Sequence, residues 1–173
     1  MKDTLRREYL LVRKGISSER KREANSKVFE LLVEMTKDAR QILSYVPLKD
    51  EVCVMAFNTY LAKQNRLSLP RIEGGSIVPY GVTSVENQLI TFSHRFLEPT
   101  LDCKKSDEID LVVVPGVVFD NNGGRIGFGK GFYDRFLFTT KISSIGVAFQ
   151  EQMFEGTLPL EAHDARVEKL CII

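Results

Sequence analysis

The sequence predicts an α/β fold: three layers, a largely parallel or mixed sheet with helices on both faces, in a single domain spanning residues 1–173. Three observations predict it. Asp110 to Val114 is an apolar, β-branched run closed by Pro115-Gly116, the pattern of a strand covered on both faces. Ser144 to Phe149 repeats the type, and stretches of helical period alternate with such runs, which is the signature of layered α/β architecture. A chain of 173 residues with no linker-like stretch is one domain in length. At that size about 70% of the unfolded surface leaves water on folding, so packing suffices without metal or disulfides.

From Thr4 onward Leu5, Tyr9 and Val12 recur at helical spacing, and Gly15 is placed to end a first helix. Ser17 can cap a second, with Glu19 in its first turn and Ala24, Val28, Leu31, Leu32 and Met35 as its apolar face. Ile42 to Val46 reads as a buried strand ended by Pro47. Helical spacing returns from Val52 to Lys63, before a strand at Leu67 to Leu69. Ile77 to Val82 and Leu89 to Phe92 are shorter strands, and Lys169 to Ile173 adds a last one. In such sheets ligands gather beyond the carboxyl ends of the strands.

Charge and cysteines narrow the function classes. With 24 Lys and Arg against 23 acids, the chain lacks the long-range field typical of a nucleic-acid binder. The first 40 residues nevertheless carry a net +4, so an anion such as phosphate favours the N-terminal end. Cys53, Cys103 and Cys171 are isolated and odd in number, which speaks against a disulfide framework or zinc knuckle and fits a reducing, cytoplasmic setting. Neither a signal peptide nor a membrane span is expected, because Met1 to Arg7 is charged and the apolar run from Val112 to Phe119 is broken by Pro115-Gly116.

The most informative stretch follows the strand at Leu111. In Arg125-Ile126-Gly127-Phe128-Gly129-Lys130-Gly131-Phe132-Tyr133-Asp134 three glycines alternate, so the backbone can bring several N–H groups toward an anion. A helix from Tyr133 to Phe138 would add its positive N-terminus, and Arg125 and Lys130 add full charges. The spacing is neither a Walker A loop nor the dinucleotide fingerprint. From the residues alone the stretch is either a phosphate loop or a plain turn. Sugar-phosphate isomerases and acyl-CoA transferases share the strand-then-glycine arrangement, at the level of fold analogy only.

Residues 114 to 137, VPGVVFDNNGGRIGFGKGFYDRFL, closely resemble the signature of the 5-formyltetrahydrofolate cyclo-ligase family. Three further segments match in order: Lys2 to Arg6 resembles the opening K-x-x-L-R, Asp50-Glu51-Val52 the substrate-facing E-V segment, and Leu158-Pro159 with His163-Asp164 the closing L-P and H-D. Two places depart from the pattern. Val54 stands where the family often has Thr, and Ser93 to Leu97 replaces a stretch usually richer in glycine.

The resemblance implies an ATP-dependent C–N ligase that closes 5-formyltetrahydrofolate to 5,10-methenyltetrahydrofolate, releasing ADP and phosphate, with Mg²⁺ as cofactor and the chain acting as a monomer. It implies ATP contacts by Lys2, Asp3, Thr4, Leu5 and Arg6, where Lys2 and Arg6 share a helix face by their i, i+4 spacing. It also implies ATP contacts by Arg125, Ile126, Gly127, Phe128, Gly129, Lys130, Gly131, Phe132 and Tyr133, with Arg125 and Lys130 as the catalytic charges. Folate contacts fall to Val46, Glu51, Phe128, Gly129, Lys130, Gly131 and Phe132, and Mg²⁺ to Asp134 and Asp164. The plainer readings are first-turn helix acids for Glu51 and Asp134 and a turn residue for Asp164. A folate- or nucleotide-binding regulator without catalysis is the alternative, and an RNA-binding module is disfavoured by the balanced charge. His94 and His163 have no Cys or Ser at a nucleophile spacing, so no histidine triad is expected.

Overall fold

A computed structural model of the chain describes residues 1–93 and 96–173. His94 and Arg95, part of the departure at 93 to 97, lie outside the described residues. The chain opens with α1 (Lys2–Gly15) and α2 (Ser18–Met35), and the Ser17 hydroxyl accepts the Arg20 N–H at 3.1 Å as an N-cap. Strand β1 (Ile42–Leu43) leads through a long connection to α3 (Met55–Lys63), β2 (Leu67–Glu73) and β3 (Ser76–Gly81). A hairpin, β4 (Leu89–Ser93) and β5 (Phe96–Pro99), precedes β6 (Leu111–Pro115), β7 (Val118–Asp120) and β8 (Arg125–Ile126). Helix α4 (Phe132–Thr140), β9 (Ser143–Ala148), β10 (Met153–Phe154) and β11 (Lys169–Ile172) complete the chain.

The main sheet has the order β11-β9-β6-β1-β2-β3, parallel throughout except for β3, which runs antiparallel to β2. Strand alternation sorts the core into two faces. Ile42, Val113, Ile145, Val147 and Cys171 pack with Ala24, Val28 and Leu32 of α2 and Phe57 and Leu61 of α3. Leu43, Val112, Val114 and Ala148 pack on the other face with Leu137 of α4. The expected three layers, helices on both faces, are therefore present.

A third, smaller core positions the site. Strands β10, β7 and β8 form a separate three-stranded sheet whose Val118 and Ile126, with Leu158, receive Leu5 and Tyr9 of α1. The buried position one turn further along α1 is Arg13, whereas Val12 is 38% exposed. The apolar stripe expected at Leu5, Tyr9 and Val12 thus runs Leu5, Tyr9, Arg13, because the Arg13 guanidinium finds the Gly116 carbonyl and Glu51 inside while Val12 faces outward. Leu31 likewise stands exposed while Leu32 is buried.

Two other boundaries differ from the periodicity. Strand β1 is two residues long because the chain turns out of the sheet: the Tyr45 carbonyl accepts the Asn58 side-chain amide at 2.8 Å and the Tyr45 hydroxyl donates to Val52 O at 3.0 Å. Helix α3 starts at Met55 rather than Val52, since the Cys53 N–H is taken by the Asn25 side chain at 3.1 Å. The short strands β5, β7, β8 and β10 carry too few residues for a visible period.

Candidate active site

Strand order reverses beside β1, with β2 on one flank and β6 on the other, so the carboxyl ends of β1 and β6 open a crevice at a topological switch point. The chain leaving β1 carries Val46 and Glu51; the chain leaving β6 carries Pro115-Gly116 and then the glycine loop. Parts far apart in sequence meet there.

On the β6 side, β7 and β8 make a hairpin whose turn is held by a fully buried carboxylate. Asp120 accepts the N–H groups of Asn122 at 2.9 Å, Gly124 at 2.7 Å and Leu158 at 2.8 Å. This residue was not expected as part of the site, although Asp-Asn-Asn-Gly-Gly is the composition of an Asx-type turn. It fixes both the start of Arg125 and the closing Leu158-Pro159 segment.

Arg125 leaves that hairpin 5% exposed, donating to Asp134 Oδ1 at 2.7 Å and to the Pro115 carbonyl at 3.5 Å, with its guanidinium 5.9 Å from the centre of the Tyr133 ring. Asp134 Oδ1 also accepts the Ala165 N–H at 3.2 Å, which brings the closing segment against α4. Gly131 has φ +64° and serves as N-cap of α4 without a side-chain bond, leaving the first N–H groups of the helix directed at the loop. Gly129 has φ +92°, and a Cβ there would sit 3.3 Å from the Arg6 guanidinium carbon. Only glycine meets both demands without strain.

Helix α1 clasps the loop from the other side. Arg6 Nε donates to the Gly127 carbonyl at 2.7 Å, and a second Arg6 nitrogen pairs with Asp3. Lys2 pairs with Asp164 and, at 3.0 Å, with Glu161. Met1, Lys2, Asp3, Arg6, Pro159 and Glu161 line a cleft of about 430 Å³ at this end. Burial pushes the Asp164 carboxyl up, but the Glu161 N–H and the Lys2 ammonium outweigh it and hold the group below the usual carboxylate value. The expected ATP-side residues are therefore brought together. Leu5 and Ile126 turn their side chains into the small core, so their contribution is to position the backbone; Thr4 and Lys130 are exposed.

On the β1 side Glu51 lies four residues before α3, in a turn where its N–H reaches Leu48 O at 2.9 Å and its Oε2 accepts the Leu48 N–H at 2.9 Å. It is not a first-turn helix acid. Its Oε1 lies 3.6 Å from Nη1 of Arg13, and both side chains are nearly inaccessible. Burial raises the Glu51 carboxyl, and the Leu48 N–H and Arg13 oppose that rise. Phe128, 46% exposed, lays its ring 5.3 Å from the Arg13 guanidinium. Val46 stands half-buried at the edge of the large core. Arg13 was missed because charge on an exposed-looking helix reads as a solvated face.

Asp134 and Asp164, the carboxylates expected to hold a hard cation, are paired here with Arg125 and Lys2, and among the described residues no group of three or more His, Cys, Asp and Glu forms an all-protein cage. Two carboxylates are what Mg²⁺ would require of the protein, since it takes one or two and completes its shell with phosphate and water. His163 is exposed beside Glu161, so it joins no triad. The cysteines are free, with Cys103 and Cys171 buried.

Fold and cleft together define an α/β enzyme in which a glycine loop and a buried carboxylate meet, through Phe128 and Arg13, at a switch-point crevice. Residues 1–172 match the model of the 5-formyltetrahydrofolate cyclo-ligase family, and the chain belongs to that family. The NMR structure of 5,10-methenyltetrahydrofolate synthetase from Aquifex aeolicus superposes with a TM-score of 0.88 at 35% identity, covering 99% of this chain and 89% of that one. The corresponding Mycoplasma pneumoniae synthetase gives a TM-score of 0.73 at 27% identity over 98% and 96% of the two chains. The 5-formyltetrahydrofolate cyclo-ligase of Mycoplasma genitalium is 29% identical over 90% of this chain and 89% of its own length.

Proposed function

We propose that this chain converts 5-formyltetrahydrofolate to 5,10-methenyltetrahydrofolate at the expense of ATP, releasing ADP and phosphate. The observation that carries the reading is the clasped loop: Arg6 on Gly127 from one side and Arg125 on Asp134 from the other hold Gly127 to Gly131 open toward the crevice that Glu51 closes. Membership of the family supports the same substrates.

The chemistry follows from the substrate. The formyl group on N5 is an amide, and N10 cannot expel its oxygen as hydroxide at a useful rate. The formyl oxygen therefore attacks the γ-phosphorus of ATP and ADP leaves. The N10 lone pair adds to the resulting iminium carbon, N10 gives up its proton, and the C–O bond breaks with loss of phosphate. What the protein supplies is position and charge. Arg125, Lys130, Lys2 and Arg6, with the α4 N-terminus, stabilise negative charge on the transferring group. Lys2 would exchange Asp164 for phosphate, and Asp134 and Asp164 would hold Mg²⁺, which would supply charge neutralisation at the phosphate oxygens. Glu51 accepts N–H groups of the pterin beside Val46, and Phe128 to Phe132 face the folate. All these groups come from one chain, which suits a monomer, and the unpaired thiols suit the cytoplasm.

The test is the appearance of the methenyl chromophore when protein, 5-formyltetrahydrofolate, Mg²⁺ and ATP are mixed, beside controls lacking ATP or Mg²⁺. A rise requiring both supports the reading. Tight folate binding with no rise in any mixture would replace it with a non-catalytic folate-binding protein.

A further inference from the structure

We infer that Arg13 is the positioning residue of the folate side: from helix α1 it sets its charge against the Glu51 carboxylate, orienting it for the pterin, and carries the Phe128 ring on its guanidinium. The inference rests on the folate role proposed for Glu51.

Arg13 is an unusual occupant for its place. It lies on the buried stripe of α1, one turn past Tyr9, where an aliphatic residue would complete the small core. Its side chain and that of Glu51 are 4% and 6% exposed. Nη1 donates to the Gly116 carbonyl at 3.2 Å, and the same carbonyl accepts the Gln152 side-chain amide at 3.0 Å, so the guanidinium is anchored to the end of β6. Yet the approach to Glu51 is 3.6 Å, too long for a hydrogen bond, and the buried Nε has no partner. Taking two ions out of water for so loose a contact returns little stability. Folding alone does not account for the pair; holding a charge ready for a ligand does.

The surroundings leave Arg13 as the cation that faces Glu51. Glu51 is faced by Arg13 from α1, by the Tyr45 hydroxyl from the end of β1 and by Tyr133 from α4. Lys21 of α2 is spent on the neighbouring Asp50 at 2.9 Å. Burial favours the protonated carboxyl, which would present a donor where the pterin N–H groups need an acceptor. Arg13 opposes that. Because Lys2 and Arg6 lie on the same helix, α1 also ties the folate carboxylate to the phosphate loop within one rigid element.

The experiment measures the 5-formyltetrahydrofolate Kd by calorimetry, and the KM for each substrate, in the wild type, Arg13→Met, Arg13→Lys, Glu51→Gln and the Arg13→Met/Glu51→Gln double variant, with thermal melts to verify folding. Arg13→Met should weaken folate binding about tenfold or more while the ATP KM stays within about twofold, since a buried charge partner is lost on one side only. Arg13→Lys, which retains charge without the planar stack, should recover part of the loss. The double variant should lose clearly less than the sum of the two single losses, because Arg13 acts in large part through Glu51. The acid limb of kcat/KM for the folate should move to higher pH in Arg13→Met and not in Arg13→Lys. Losses that add in the double variant, an unmoved acid limb, or equal effects on both substrates would overturn the inference. Should Arg13→Met fail to fold, Arg13→Lys decides it: a folate Kd weakened several-fold with the ATP KM unchanged keeps the inference, and a wild-type folate Kd in Arg13→Lys overturns it. Wild-type protein that binds the folate without turnover would end the proposed activity, while the Kd series would still decide the role of Arg13.

Discussion

Two arginine–carboxylate pairs flank the end of β6, and they are built differently. Arg125 meets Asp134 at 2.7 Å within a short stretch of chain, beside a carboxylate that is 17% exposed. Arg13 meets Glu51 at 3.6 Å across two distant segments, with both partners sealed from water. Around the first pair stand Lys2, Arg6 and Asp164, all part-exposed and paired with acids or bases of the cleft rim. Around the second stand Phe128, Tyr45 and Val46. The side proposed for phosphate is thus a set of part-exposed ion pairs on a glycine frame, which would suit a ligand that brings its own charge and cation. The side proposed for the folate is a buried charge beside apolar groups, which would suit a flat heterocycle that must be oriented.

The sharpest way to break this contrast is Arg125→Ala. Losing one preorganised charge at the transferring phosphate should lower kcat by about a hundredfold or more, with folate Kd changed little. Single-turnover rates beside folate calorimetry measure it, and wild-type turnover in folded protein would remove Arg125 from the reaction. Next comes Gly129→Ala. A side chain at φ +92° carries about 1–3 kcal/mol of strain and presses on Arg6, so the ATP KM should rise about tenfold while the folate KM holds. A rise in the folate KM instead would mean that the loop serves mainly the other wall.

Smaller still is Asp164→Asn, which keeps the shape but removes a donor to a hard cation. The Mg²⁺ concentration for half-maximal rate should rise several-fold with little change in rate at saturation. An unchanged Mg²⁺ titration would leave Asp134 as the protein's metal ligand. The smallest effect belongs to the Lys2–Asp164 pair. The Asp164 carboxyl is held below its ordinary 3.8, so its contribution is present above that pH and is lost as pH falls through the lowered value. The Lys2 ammonium is held above its ordinary 10.5, so its share persists below that pH and fades as pH rises further. With Lys2 21% exposed, Lys2→Met should cost about 1 kcal/mol or less between those limits, read as a shift in Tm across pH.

What was legible in the sequence divides along the same line. The glycine spacing, the strand before it and the helix after it lie within about thirty residues of chain, and local rules of backbone freedom and helix termini read them directly. The six strands and the helices on two faces followed from period and β-branching, because burial imposes those patterns residue by residue. The basic α1 face at Lys2 and Arg6 was visible as i, i+4 spacing. The small sheet of β7, β8 and β10 was not, since strands of two or three residues show no period. Asp120, Arg13 and the true surroundings of Glu51 were hidden for another reason. A charged residue declares its type in the sequence, but whether it is solvated or buried depends on what the fold lays over it. The sequence by itself determined the layers, the loop and the sign of the charge at the N-terminal end. Only the tertiary structure decided that Arg13 turns inward to Glu51 while Arg6 turns to the loop, because desolvation and long-range pairing exist only once α1 has docked on the small sheet.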